Sequence, residues 1–136
     1  MTALEIFTTT MAMVDEMSDN GQLDPTSTQE YKAKAPHILT MLQNEIIGIQ
    51  NRYRRYEDYI FPVPIETLDQ DVQLDDIEAN TLLTNGLASH LMINENKSLA
   101  SFFQQRYEEM KTTYLKAKPV KLEKREDKYD SSLNYW

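Results

Sequence analysis

The sequence predicts an all-α protein: a small bundle of four to five helices in a helical domain over 1–118. It adds a long loop at 57–74 and a flexible C-terminal tail at 119–136. Three observations carry that expectation. Apolar residues recur at steps of three and four through four separate stretches, which is the period of a helix face and not of a strand. Most of those stretches open on a capping pattern. And 3 Gly with 5 Pro in 136 residues leave little material for a turn-rich β architecture. The composition, 40% hydrophobic and 26% charged, is that of an ordinary globular chain. Its length suits one buried core and is too short for two.

The first helix is expected over 3–18. Thr2-Ala3-Leu4-Glu5 has the form of a capping box, in which the Thr2 hydroxyl accepts from the amide three residues on and Glu5 reaches back. Leu4, Phe7, Met11 and Val14 then define an apolar stripe. Asn20-Gly21 supplies residues that tolerate a left-handed cap, so the helix should stop there. Asp24-Pro25 is a second start, Asp as N-cap and Pro at the first helical position, with Ser27 to Glu30 as a slightly later alternative. Pro36 removes a helical amide and clashes with the preceding turn, which predicts a short helix before it and a kink or fresh start near it. The strongest stripe follows: Ile38, Leu39, Leu42, Ile46, Ile49 and Tyr53, ending in the cluster Arg52–Tyr56.

Residues 57–74 break the period. Tyr59-Ile60-Phe61-Pro62-Val63-Pro64-Ile65 mixes β-formers with two prolines, which suits an extended or edge segment. Loops of that length in small domains are uncommon and often functional. Asp75 to Glu78 forms another capping box, followed by Leu83, Leu87 and Leu91, with Leu82 and Ile93 widening the apolar side. Asn94-Glu95-Asn96 reads as a tight break. Leu99, Phe103, Arg106, Tyr107, Met110 and Tyr114 mark the last helix, ending before Pro119. The tail alternates charges, Lys121 and Arg125 among them, and closes on Tyr129, Leu133, Tyr135 and Trp136. It has too few apolar residues to fold alone, yet it ends in aromatics of the kind that anchor interfaces.

The net charge of −8 is unevenly placed. Residues 1–100 hold 6 Lys and Arg against 16 Asp and Glu, while 101–136 hold 8 against 6. An acidic body repels nucleic-acid phosphates, and a basic end on an acidic body points to a protein partner or a neighbouring copy. No run approaches the ~18 apolar residues of a membrane span, and the opening residues lack the pattern of a secretory signal. With no cysteine there is no thiol nucleophile, thiolate metal site or disulfide. The simplest expectation is a protein that is intracellular when made.

Chemistry-bearing constellations are missing. His37 and His90 are far apart, and no E-x-x-H pair, Gly-rich phosphate loop or G-x-S-x-G elbow is present. The pairs Asp75-Asp76 and Glu108-Glu109 are adjacent, so on a helix they diverge; Asp75 is better explained as a cap and Glu108-Glu109 as a solvated face. His90, beside Leu87 and Leu91, suits a half-buried structural role. The expectation is therefore no catalytic, metal or cofactor site, and no enzyme. Contact residues are a different matter. Arg52 and Arg55 among tyrosines, with Tyr59 and Phe61 in the loop, are candidates for subunit or structural contacts. So is Arg106 within an apolar stripe, whose fork suits a salt bridge within or between subunits.

Two stretches carry a family look. Tyr31-Lys32-Ala33-Lys34-Ala35-Pro36-His37-Ile38-Leu39, running on to Leu42 and Glu45, resembles the second-to-third helix region of head–tail connector (adaptor, or head completion) proteins of tailed bacteriophages. Gly86-Leu87-Ala88-Ser89-His90-Leu91, Asn94-Glu95-Asn96-Lys97-Ser98-Leu99-Ala100 and Phe102-Phe103-Gln104-Gln105-Arg106-Tyr107-Glu108-Glu109 look like the closing helical hairpin of that group. In it, Gly86 would permit close helix approach and Tyr107 beside Arg106 would close the hairpin.

The resemblance implies a structural virion protein in the neck, present in the host cytoplasm during assembly. It would form a homo-oligomeric ring, usually dodecameric, beneath the portal protein of a filled capsid. The ring would present a platform to the next neck or tail completion protein, and double-stranded DNA would pass its channel without sequence-specific binding. The tail, through Lys121, Arg125, Tyr129, Leu133, Tyr135 and Trp136, would dock on the portal or a neighbouring subunit. The composition also admits a small acidic regulatory protein that binds a host protein. A helical-bundle metalloenzyme is a third reading, one that needs facing carboxylate and histidine ligands.

Overall fold

The structure, a computed structural model, describes residues 1–17 and 25–116. The Asn20-Gly21 stop, the Asp24 cap and the tail over 119–136 lie outside those residues. Within them the chain is all-α, as the periodicity predicts: α1 (Ala3–Met17), α2 (Pro25–Asn51), a 3-10 turn (Tyr56–Asp58), α3 (Asp76–Glu78), a π segment (Ala79–Leu83), α4 (Thr84–Met92) and α5 (Lys97–Lys116). The only pairing of strand type among the described residues is an isolated antiparallel bridge between Thr2 and Asp71.

α1 starts where its capping box places it. The amide of Glu5 donates to Thr2 Oγ1 at 3.2 Å, and the Thr2 amide donates back to Glu5 Oε1 at 3.2 Å. Its buried face is Ala3, Ile6, Phe7, Thr10 and Val14. Leu4, which the expected stripe includes, is exposed, and Met11 is half-buried. Thr10 takes a core position because its hydroxyl donates to the Ile6 carbonyl at 2.8 Å, so a polar residue is buried without an orphaned group.

α2 runs through Pro36 without a break, against the expectation of two pieces. The carbonyl that loses its donor belongs to Lys32, an exposed residue, where water can satisfy it. Pro36 itself is buried, in line with Tyr31, Ala35, Leu39 and Leu42, so packing outweighs the missing hydrogen bond. The buried face continues through Gln43, Ile46, Ile47 and Gln50, while Ile38 and Ile49 sit at its rim and Tyr53 is exposed.

α3 opens on Asp75, whose carboxylate accepts from the Glu78 amide at 2.8 Å. The π segment leads directly into α4, and from Leu82 to Ser89 every residue is buried. A helix covered on all sides is the hub of the fold: α1, α2 and α5 all pack on α4. The wider turn of the π segment loosens the regular ladder, and side chains fill in. Thr84 Oγ1 donates to the Asn80 carbonyl at 2.6 Å and Asn85 Nδ2 to the Thr81 carbonyl at 2.7 Å. Ile93 does not widen the apolar side; it is 55% exposed beyond the end of α4.

α5 begins on an Asn96 cap, its Oδ1 accepting from the Leu99 amide at 3.1 Å. Ala100, Phe103, Tyr107 and Leu115 are buried along one side. Gly86 lets α2 and α5 close on the hub: a Cβ there would meet Leu42 Cδ1 at 2.9 Å and Tyr107 Cδ1 at 3.1 Å.

Candidate partner-binding surface

The segment from Tyr59 to Leu74 has no regular structure, yet its backbone is held bond by bond. The Asn51 amide group grips Ile60 at both ends, Nδ2 donating to the Ile60 carbonyl at 2.9 Å and Oδ1 accepting from its amide at 3.1 Å. Gln43 Nε2 donates to the Val63 carbonyl at 3.0 Å, and Gln43 Oε1 accepts from the Gln73 amide at 2.8 Å. The Gln73 side chain accepts from the Val63 amide at 2.6 Å and donates to the Phe61 carbonyl at 3.3 Å. Thr40 holds Ile65, its hydroxyl accepting from the Ile65 amide at 2.9 Å. Gln70 closes the turn beyond, donating to the Pro64 carbonyl at 2.8 Å and accepting from the Glu66 amide at 3.1 Å. Amide side chains thus stand in for a neighbouring strand, and the segment is a strap laid back along α2.

The strap ties down α1 as well. Ala3 and Leu4 donate their amides to the carbonyls of Gln70 and Leu68, at 2.9 and 2.8 Å. Ile65, Val72 and Leu74 face inward as its anchors in the core.

Between Tyr59 and Val63 the strap turns apolar side chains outward. Phe61 is 73% exposed, Tyr56 is 78% exposed, and Tyr53, Tyr59 and Val63 are exposed beside them. The Tyr56 and Tyr59 rings lie 5.4 Å apart between centroids, tilted by 51°. Arg52 and Arg55 are exposed at the same edge, just past the end of α2. Arg54 is drawn inward, donating to Asn51 Oδ1 at 2.9 Å and Gln50 Oε1 at 3.3 Å. Aromatic and arginine side chains are the types enriched where proteins bind proteins. Pro62 and Pro64 remove two backbone donors from the strap, so it is a poor edge for strand pairing. Contact here has to be made by side chains.

The structure therefore brings Arg52, Arg55, Tyr59 and Phe61 together on one edge and adds Tyr53, Tyr56 and Val63 to them. Arg106 is elsewhere. It is exposed on α5, 5.7 Å from the Phe102 ring centroid, and among the described residues it makes no ion pair. The salt bridge expected for it, within or between subunits, is not formed among the described residues of one chain: the buried side of α5 is set by Phe103 and Tyr107, and Arg106 lies off that line. Lys121, Arg125, Tyr129, Leu133, Tyr135 and Trp136 lie outside the described residues.

A second polar cluster ties α2 to α5. The buried Tyr107 hydroxyl donates to Glu45 Oε1, and Lys111 Nζ stands 3.3 Å from the same oxygen and 3.2 Å from Glu108. Partial burial works to raise the pKa of the Glu45 carboxyl, but the Tyr107 hydroxyl and the Lys111 charge outweigh it and hold the group below the usual carboxylate range. Burial, then the bond to Glu45, push the Tyr107 hydroxyl far above its ordinary value. The cluster has the chemistry of a clamp between helices: each group is already partnered. His90 is half-buried and His37 exposed. Among the described residues no three His, Asp or Glu side chains are grouped to hold a metal ion, and no helix is long and apolar enough to cross a membrane.

The gripping residues Gln43, Gln73, Gln70, Thr40 and Asn51 are the part that apolar periodicity passes over. Their one trace in the sequence is Gln43 falling on the apolar side of α2, where a buried amide needs partners. No family model, no curated protein and no solved structure matches the chain.

Proposed function

We propose that this chain is a non-enzymatic structural protein of the tailed-phage head–tail connector, an adaptor that assembles as a ring beneath the portal and joins the DNA-filled head to the neck. The observation that carries the reading is the exposed edge of Tyr53, Tyr56, Tyr59, Phe61 and Val63 with Arg52 and Arg55. A small protein that spends five hydrogen-bonding side chains on fixing a strap, and then turns aromatics outward from it, is built to meet another protein. The resemblance of the sequence stretches 31–45 and 86–109 to connector proteins supplies the setting. The acidic body suits a channel wall past which DNA slides without sticking.

The test is the absolute mass of the purified chain, alone and with the portal protein of the same phage, measured by light scattering across concentrations. A ring-sized complex with the portal is expected. A mass that never responds to the portal would overturn the connector reading and favour the acidic regulatory one, which a pull-down from host lysate would then pursue. Truncation after residue 118 leaves α5 whole, since it ends at Lys116. The truncated chain is expected to keep its melting transition and to lose the portal complex.

A further inference from the structure

The strap has two ends, and they carry opposite charge. At one end Ile60 is fixed to Asn51, next to the exposed Arg52 and Arg55. At the other, Ile65 is fixed to Thr40, and the turn from Glu66 to Asp71 follows, bonded to the first residues of α1. Thr40 and Asn51 are eleven residues apart on one helix, so the two ends are separated by ~16 Å along α2. The far turn is acidic: Glu66, Asp69 and Asp71 are exposed, with Glu5 beside them on α1 and Leu4 exposed next to it. From Tyr56 to Asn96 the chain has no Lys or Arg at all. Among the described residues, Arg52, Arg55, Glu66 and Asp69 make no ion pair within the chain, although Glu57 and Asp58 adjoin the arginines in sequence, and Asp71 faces the Met1 ammonium, which is itself paired with Asp76 at 3.2 Å.

We propose that the basic, aromatic end of the strap docks on the acidic far turn of a second copy of this chain. Arg52 and Arg55 would stand opposite Asp69 and Asp71, with Tyr56 and Phe61 as the apolar anchors. This rests on the assembly reading above and gives it a contact. Complementary charge selects the pairing: basic end on basic end would set arginine against arginine, which repels, while basic on acidic attracts. Two different surfaces on one chain make a heterologous contact, and such contacts propagate from copy to copy until the rotation closes a ring. The strap's hydrogen bonds hold both surfaces in place before contact, which lowers the ordering cost of association.

A charge-swap experiment tests it. Two variants are made, Arg52→Glu with Arg55→Glu, and Asp69→Lys with Asp71→Lys. All four positions are exposed, and circular dichroism checks that the helices are intact. Self-association of each is measured by sedimentation and light scattering. Each variant alone is expected to associate about tenfold more weakly than the parent chain, because every contact becomes like-on-like. Mixed one to one, the variants should recover association, since alternation of the two restores opposite charge at every contact.

A parent chain that stays monomeric at every attainable concentration would overturn the proposal. So would variants that associate as the parent does, or a mixture that fails to recover. The portal experiment separates this from the function reading. A portal complex that is indifferent to the swaps removes the contact and leaves the connector; the swap pattern without any portal complex keeps the contact and removes the connector.

Discussion

Gly86 and Gly48 offer one prediction that can be worked from geometry. Both lie inside helices, so replacing either with alanine should gain about 0.5–1 kcal/mol from backbone propensity. Gly48 is exposed, and a Cβ there would meet nothing within 4 Å, so Gly48→Ala keeps the whole gain. At Gly86 the added methyl would stand 2.9 Å from Leu42 Cδ1, 3.1 Å from Leu42 Cδ2 and 3.1 Å from Tyr107 Cδ1. Leu42 is buried, and the Tyr107 ring is tethered through its hydroxyl to Glu45, so neither swings away freely. Overpacking of that kind costs about 1–3 kcal/mol. The two alanine variants should thus differ by about that amount, with Gly86→Ala net destabilised by up to ~2 kcal/mol. For a domain of this size that is a melting temperature lower by up to ~8 °C, against a rise of ~2–4 °C for Gly48→Ala. Thermal and urea unfolding followed by circular dichroism at 222 nm reads both. Combining Gly86→Ala with Leu42→Ala should cost less than the sum of the two, by ~1 kcal/mol, because the space vacated at Leu42 receives the new methyl. Equal stability of the two glycine variants, or strict additivity in the double, would refute the close approach of α2 and α5 at Gly86.

Three further predictions concern polar groups. Gln43→Leu should loosen the strap while the helices persist: it removes the bonds to Val63 and Gln73 at a cost of about 2–3 kcal/mol, read as faster hydrogen exchange at the Val63 and Gln73 amides than at those of α4. Tyr107→Phe should cost about 1 kcal/mol, since Glu45 is half-exposed and water replaces the lost donor. It should also flatten the acid limb. Because the Glu45 pKa is lowered on folding, its contribution is present above the ordinary value of 4.5 and lost as pH falls through the lower folded value. Denaturant midpoints measured from neutral pH down through that range would show the parent losing more than the variant. Tyr31→Phe should change stability by no more than about 1 kcal/mol, because the buried Tyr31 hydroxyl makes no well-formed hydrogen bond among the described residues, and burial together with the exposed Glu95 carboxylate beside it raises its pKa; a loss above ~1 kcal/mol in urea unfolding would show that the Glu95 contact is a full hydrogen bond.

The helices were legible because caps and periodicity are local. Thr2 with Glu5 and Asp75 with Glu78 act within three residues and are found as their spacing predicts, and Asn96 caps α5 through Leu99 at the break that the sequence marks. What failed was whatever tertiary packing decides. Pro36 breaks an isolated helix but not one whose proline is buried against a core. Leu4 and Ile93 look like core residues by type, yet the hub helix α4 fills the interior and leaves them at the margin. Thr84, Asn85 and Ser89 look like surface residues and are buried, because α4 is enclosed on every side and their donor groups turn onto neighbouring carbonyls. The edge was half legible: Arg52, Arg55, Tyr59 and Phe61 announce themselves by type, but the rigidity that makes them a surface comes from Gln43, Asn51 and Gln73. Those are ordinary polar residues, and their partners lie 9 to 30 positions away.

A strap whose course is dictated by another element separates two tasks that loops usually combine. The path of residues 60–65 is written largely in Thr40, Gln43 and Asn51, on the helix beneath, and in Gln73. The outward residues Phe61 and Val63 contribute their backbone to that scaffold and leave their side chains free. Recognition can therefore be rewritten there without renegotiating the fold, much as a typeface can be changed in a fixed frame. Libraries randomised at Tyr59, Phe61 and Val63 should fold at nearly the parent's stability across most substitutions, and the same positions offer the natural place to retarget which surface this small protein meets.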